Sequence, residues 1–203
     1  MAGAKSEAEE PGGTIARYRA RFEEADRRLV GLKESVSEIQ AAFRPGPGRW
    51  GVAECIDHLV ITGRRYLPRI EAAIAKGRDL GITGREPWRK GPLGGRMILS
   101  VLDPDKPKKS PRAPKKFRPS ADADVNFSRS VEALHDVHRR LIEAMESSEG
   151  LDLGSIRFAT PVSALFRVSL AQAYEILGIH ELRHFDQAEA VRRAEGYPAE
   201  ASS

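Results

Sequence analysis

Two of the five histidines in this chain lie four residues apart, at positions 180 and 184 of the stretch GIHELRHFDQ (residues 178–187). On a helix, His180 and His184 share one face, which also carries the apolar residues Ala173, Ile176, Leu177 and Val191. Imidazoles on consecutive turns lie about 6 Å apart along the helix axis, so both can reach one cation. The pair therefore predicts two metal ligands on one helix. The alternative is two core histidines that each have a hydrogen-bond partner.

The letters HELRH also match the H-E-x-x-H motif, in which the glutamate is the general base of a zinc protease. The longer metzincin motif requires glycine at position 187 and histidine at position 190, where this chain has Gln187 and Ala190. The residues beyond 195 are few and polar, so we do not expect a glutamate ligand downstream. We expect the third ligand upstream of residue 180.

Two motifs in this order carry a family resemblance. They are W-x-x-x-E-x-x-x-H-L at residues 50–59 and H-E-x-R-H-x-x-Q at residues 180–187. Together they resemble the DinB-like superfamily of four-helix-bundle metalloproteins, over roughly residues 14–195. The resemblance implies that His58, His180 and His184 bind one divalent metal, with further positions open to water or substrate. It also implies kinship with bacterial bacillithiol- and mycothiol-dependent transferases and with proteins labelled metal-dependent hydrolases.

The neighbours of these histidines suggest further roles. Glu54 lies one helical turn before His58, and Gln187 lies about one turn after His184. We predict that both take part in catalysis by hydrogen-bonding to a ligand or to a water on the metal, unless they are ordinary polar residues of a helix surface. His58 lies near the edge of its apolar face, so a solvent-exposed His58 is the alternative to a buried ligand.

The two remaining histidines lie in a third predicted helix. His138 falls on the apolar stripe of that helix, together with Phe127, Val131, Leu134, Leu141, Ile142 and Met145. This position predicts either a core histidine or a pocket residue. His135 falls at the margin of the stripe, and we expect it to be exposed.

Three imidazoles with an open position suit several divalent metals. We expect Zn or Ni, and Fe or Cu also accept such ligands. A metal of this kind can lower the pKa of a bound water to about 7, which suits a hydrolase, or hold a thiolate, which suits a thiol S-transferase with a low-molecular-weight thiol cosubstrate. The alternative to both is a non-catalytic protein in which the metal braces the bundle.

Four predicted helices must position these residues. The first runs from Thr14 to about residue 43 and is stopped by RPGPGR at residues 44–49; the second starts near Trp50 and bends near Pro68. The third spans about residues 123–145. The fourth runs from Ser169, where Gln172 completes a capping-box pattern, to about residue 195. With no convincing strand, the pattern predicts an all-α four-helix bundle. We expect this bundle to form a single domain (14–195) between a disordered N-terminal tail (1–13) and a C-terminal tail (196–203).

A long basic segment rich in proline and glycine separates the second and third predicted helices, at residues 77–119. Between residues 85 and 118 it carries eleven lysines and arginines against three acidic residues. We predict a loop or lid that attracts an anionic small-molecule substrate, with RMILSVL (residues 96–102) anchoring it to the body of the protein. The alternative is an anionic or nucleic-acid partner. Nucleic acid is disfavoured, because the segment has no recognition helix and no array of aromatic residues for stacking.

Composition excludes several classes of protein. The chain is 40% hydrophobic and 31% charged, and no apolar run approaches the roughly 18 residues of a membrane span. Cys55 is the only cysteine, which excludes an intramolecular disulfide and a cysteine-rich metal site. The polar start MAGAKSEAEEPGG lacks a secretory signal, so we expect a cytoplasmic protein. A homodimer is compatible with these features.

Overall fold

The four predicted long helices are present in the computed structural model, which describes residues 14–88, 91–102, 113–119 and 125–199. They are α1 (Thr14–Ser35), α3 (Val52–Asp79), α5 (Phe127–Ser147) and α6 (Leu170–Arg192). The predicted tails lie largely outside the described residues. None of the described helices is long and apolar enough to cross a bilayer.

The first helix ends earlier than predicted. The apolar stripe of α1 is buried as expected, through Tyr18, Phe22, Ala25, Leu29 and Leu32. A separate short helix, α2 (Glu38–Ala42), follows after Val36 and Ser37. Ser37 starts it because its hydroxyl accepts from the Gln40 backbone N–H at 3.2 Å, and the Gln40 side-chain oxygen accepts from the Ser37 N–H at 3.0 Å. The predicted continuous helix to residue 43 is therefore wrong.

The second predicted helix is confirmed as α3, and Pro68 lies inside it without ending it. The third is shorter than predicted: α5 begins at Phe127, where the Asn126 side chain caps it by accepting from the Arg129 N–H at 2.7 Å. Residues 120–124, where the predicted start fell, lie outside the described part of the chain.

The four long helices form a bundle in which α3 packs against α5 and α6, and α1 packs against the same two helices. Consequently α1 and α3 lie at opposite corners of the bundle, and so do α5 and α6. The approach of α3 to α5 requires glycine at position 63, because a Cβ there would collide with the Val137 side chain. In this bundle of four helices, one face of α6 lies directly against α3.

The basic segment is more structured than predicted. It contains α4 (Leu93–Leu102), which packs against α6 and against a two-stranded antiparallel sheet of β1 (Arg157–Ala159) and β2 (Arg167–Ser169). Ile98, Leu99 and Leu102 make the apolar contacts, so the RMILSVL stretch does contact the body of the protein. A 3-10 turn at Lys115–Phe117 packs against α3. The two strands were not predicted, because three residues are too few to show alternation.

Candidate metal centre

The start of α3 fixes the position of His58. Gly51 precedes the helix, and a Cβ there would collide with the Phe43 carbonyl oxygen, so only glycine allows this approach. The Glu54 carboxylate accepts from the Gly51 N–H at 3.0 Å and from the Arg44 guanidinium at 2.8 Å. These bonds hold the first turn of α3, and His58 follows one turn later.

The start of α6 is held by the predicted capping box. The Ser169 hydroxyl accepts from the Gln172 N–H at 3.2 Å, and the Gln172 side-chain oxygen accepts from the Ser169 N–H at 3.1 Å. From this cap the helix continues unbroken to Arg192. His180 and His184 lie one turn apart on the side of α6 that meets α3, as the same-face pattern predicted.

The three histidines converge at the contact between α3 and α6. Nε2 of His58 lies 3.2 Å from Nε2 of His180. The ring of His184 is centred 4.6 Å from each of the other two rings, and one ring nitrogen from each histidine lies within 4.8 Å of the other two. Tetrahedral nitrogen ligands at zinc distances lie about 3.4 Å apart. The cluster therefore fits one metal ion with little movement.

A backbone carbonyl sets the tautomer of His58. Nδ1 of His58 lies 2.6 Å from the Phe117 carbonyl oxygen. Since a carbonyl only accepts hydrogen bonds, Nδ1 carries the proton and the lone pair of Nε2 points to the other histidines. His58 is only 4% exposed, so the alternative of a solvent-exposed His58 is wrong. No local sequence pattern indicates the Phe117 contact, because it joins residues 59 positions apart.

All three imidazoles favour the neutral form that binds metals. Burial lowers the pKa of His58, and the bond to the Phe117 carbonyl only partly opposes this. Burial also lowers the pKa of His184 to about 3 and that of His180 well below its usual value, with further repulsion from the neighbouring histidines. Nδ1 of His180 and Nδ1 of His184 are buried without a hydrogen-bond partner among the described residues. The nitrogens that face one another in the cluster bring neutral lone pairs together, and a cation placed between them would bind those lone pairs.

Trp50 forms one wall of the cluster. Its ring lies 4.8 Å from the His58 ring and 5.9 Å from the His184 ring, measured between centroids. Trp50 belongs to the first sequence motif, but no role was assigned to it. Its spacing from His58 in that motif was the signal that could have identified it.

The two predicted catalytic residues have different surroundings. One Glu54 oxygen already accepts from Arg44 and Gly51 in the first turn of α3, and Glu54 is not part of the histidine cluster. Gln187 is half-buried beside His184, and its side chain opposes the lowering of the His184 pKa. Catalytic roles for both residues stay predictions.

The glutamate of the H-E-x-x-H match is turned away from the metal cluster. Glu181 is 2% exposed, and its carboxylate lies 3.2 Å from Nε2 of His138 on α5. His138 is thus a core histidine with a buried partner, one of the two predicted alternatives. His135 is exposed as predicted, with 60% of its side chain accessible. Glu181 is therefore not placed as the base of a zinc protease.

Comparison with known proteins agrees with this architecture. A family model described as the DinB superfamily matches residues 21–188, which include all three clustered histidines. No curated protein matches the chain. Among solved structures, the chain is similar to YfiT from Bacillus subtilis, described as a probable metal-dependent hydrolase with an unusual four-helix bundle topology. The similarity covers 97% of this chain and 96% of that one, with a TM-score of 0.58 and 15% identity. It confirms the predicted four-helix bundle.

Proposed function

Because the chain belongs to the DinB superfamily, we propose that His58, His180 and His184 bind one divalent metal ion, and that this site serves a reaction on a small molecule. The observation that carries the proposal is the convergence of three neutral imidazoles, His58 buried and the other two half-buried, each with one nitrogen within 4.8 Å of the others. Buried unpaired imidazoles are costly unless a cation or a hydrogen-bond partner satisfies them. The Phe117 carbonyl supplies the supporting contact that metal-binding histidines usually have.

The three imidazoles would accept Zn, Ni, Fe or Cu, since imidazole suits all four metals, and Zn or Ni stays our expectation. The only cysteine does not compete as a ligand. Cys55 is buried in α3, and burial raises the pKa of its thiol to about 12, so it stays protonated. Within the described residues the clustered ligand atoms are imidazole nitrogens, and a thiolate at this site would have to come from a cosubstrate.

A divalent metal held here would supply Lewis acidity, which serves either hydrolysis or the transfer of a thiol sulfur. The description of YfiT as a probable metal-dependent hydrolase supports the first reaction. The second is supported by the basic segment, because its last turn, Lys115–Phe117, contacts His58 directly. A carboxylate-bearing low-molecular-weight thiol would be attracted by such a segment. The protein's own residues orient His58 through Phe117 and cover the cluster with Trp50.

Metal removal should abolish turnover while the bundle stays folded. The apolar core of α1, α3, α5 and α6 does not depend on the three histidines, so chelator-treated protein should keep its far-UV circular dichroism at 25 °C. Activity should be assayed with low-molecular-weight thiols plus an electrophile, and with panels of esters and amides. Turnover should return when Zn or Ni is added back. Loss of helical signal on chelation, with no turnover on either panel, would instead support a metal that only braces the bundle.

Replacing Phe117 with alanine should weaken metal binding by about tenfold, because it removes the buried ring that holds its own carbonyl against His58. The Arg65 guanidinium also lies over this ring, 5.5 Å from its centre. Quenching of Trp50 fluorescence by added Ni would measure the dissociation constant, with Trp50→Phe as the check on signal origin. Lys115→Ala, an exposed side chain on the same turn, is the matched control. Equal dissociation constants for Phe117→Ala and Lys115→Ala would contradict the prediction.

Neutralising Lys108, Lys109, Lys115 and Lys116 should raise the KM for an anionic substrate severalfold and leave metal content unchanged, because the ligands lie on α3 and α6. Lys115 and Lys116 are exposed; Lys108 and Lys109 lie outside the described residues. Lys33→Gln with Lys76→Gln removes two positive charges outside the segment and should leave the KM unchanged. Should the segment bind nucleic acid instead, affinity for a random oligonucleotide would fall steeply with salt, and the four substitutions would flatten that dependence.

A further inference from the structure

Three charged side chains from three helices meet inside the bundle next to the metal cluster. Nδ1 of His138 on α5 lies 3.1 Å from the carboxylate of Asp26 on α1, and its Nε2 lies 3.2 Å from the carboxylate of Glu181 on α6. His138 is 1% exposed, and the ring of Phe22 packs edge-on against it at 6.1 Å. We call Asp26, His138 and Glu181 the buried bridge.

Both ring nitrogens of His138 face carboxylate oxygens. Ionised carboxylates only accept hydrogen bonds, so an imidazole between two of them donates through both nitrogens and carries a positive charge. Burial alone would lower the pKa of His138, but the charges of Glu181 and Asp26 raise it to about 9. The buried bridge is therefore a cation held between two anions, and Glu181 is engaged in it.

The buried bridge spans the bundle between helices that are not neighbours. α5 and α6 lie at opposite corners, each packed against α1 and α3. Glu181 follows His180 directly and lies three residues before His184, so its backbone is part of the turn that joins the two ligands. At about 100° per residue, any rotation of α6 that moved Glu181 off His138 would carry both imidazoles with it.

We propose that Glu181 is a positioning residue of the metal site: through His138 and Asp26 it fixes the rotation of α6 that brings His180 and His184 against His58. The proposal rests on metal binding by those three histidines. The turn of α6 from His180 to His184 contacts α3 through its two histidines. The same turn contacts the buried bridge through Glu181, which lies on a different face of the helix. A bridge that contributed only to stability would leave the metal geometry unchanged when apolar residues of similar size replaced it.

The test separates positioning from stability by exchanging the two most buried members of the bridge for apolar side chains. The double variant Glu181→Met with His138→Leu fills similar volume, and such exchanges are often neutral or stabilising. Asp26, whose side chain is 26% exposed, keeps its contact with His135. Zn affinity would be measured by competition with a chelating dye, and ligand geometry by the visible absorption spectrum of the Co-substituted protein. Glu189→Gln is the matched control, because it weakens the 2.7 Å contact with Arg28, another link between α1 and α6.

We expect the double variant to bind Zn about tenfold more weakly and to show an altered Co spectrum, with its melting temperature kept. Glu181→Gln, whose amide oxygen can still accept from His138, should lose about threefold, and Glu189→Gln should match the parent. A folded double variant with the parent's Zn affinity and Co spectrum overturns the proposal. If the double variant does not fold, Glu181→Gln with parental affinity and spectrum overturns it. A parent protein that binds no metal would instead refute the proposed function.

Discussion

Protein with His180 or His184 replaced by alanine should contain almost no metal after purification. Each substitution removes one of three ligands, and two remaining imidazoles bind a divalent ion far more weakly; we expect a loss of at least about 100-fold, beyond the 10- to 100-fold typical of supporting residues. His58→Ala should behave in the same way, since its Nε2 lies 3.2 Å from that of His180. Elemental analysis of protein purified without a histidine tag measures the effect.

His135→Ala is the control for these variants. His135 is exposed, and its imidazole contacts Asp26 but none of the three clustered histidines. Its replacement leaves the contact between Asp26 and His138 in place, so metal content should stay at the parental level. Full metal content in His180→Ala or His184→Ala would show that the ion binds elsewhere.

The free energy of unfolding of the metal-free protein should fall by about 3 kcal/mol as the pH rises from 6.5 to above 9. The pKa of His138 is raised from 6.5 to about 9 in the folded protein, and each unit corresponds to about 1.4 kcal/mol. A raised pKa means that the folded state holds a proton which the unfolded state releases. The stabilisation is therefore complete below pH 6.5 and disappears as the pH passes through 9.

Urea denaturation at half-unit pH steps would measure this fall, and His138→Leu isolates the contribution of His138. Other groups titrate in the same range, so the informative quantity is the difference between the parent and His138→Leu at each pH. As the pH rises, the free energy of unfolding of the parent should fall relative to that of His138→Leu. Parallel curves for the two proteins from pH 6.5 to 9.5 would refute the prediction.

Helix periodicity identified the long helices and the His180–His184 pair, because both follow from local spacing. The same periodicity did not predict the break between α1 and α2 at Ser37. Ser37 and Gln40 form a capping box of the kind recognised at Ser169 and Gln172, but the apolar spacing continues through it. The structure shows that the continuation is coincidental, since Ile39 belongs to the spacing and is 76% exposed.

Long-range contacts could not be read from spacing. The buried bridge joins His138 to residues 112 and 43 positions away, and the carbonyl that orients His58 is 59 positions away. A polar residue on the stripe of α5 was the one local sign of the bridge. Likewise, His58 as third ligand rested on the family resemblance, because its position near the edge of an apolar face did not require burial.

The separation of the ligands along the chain has a consequence for biosynthesis. His58 precedes His180 by 122 residues, which corresponds to about 6 to 24 s of translation at 5 to 20 residues per second. During that interval a growing polypeptide presents a single imidazole of the cluster, attached to a helix that has not yet met its partner. Metal binding at the proposed site would therefore be a late event, because it would await the emergence of α6 from the ribosome and its docking onto α3.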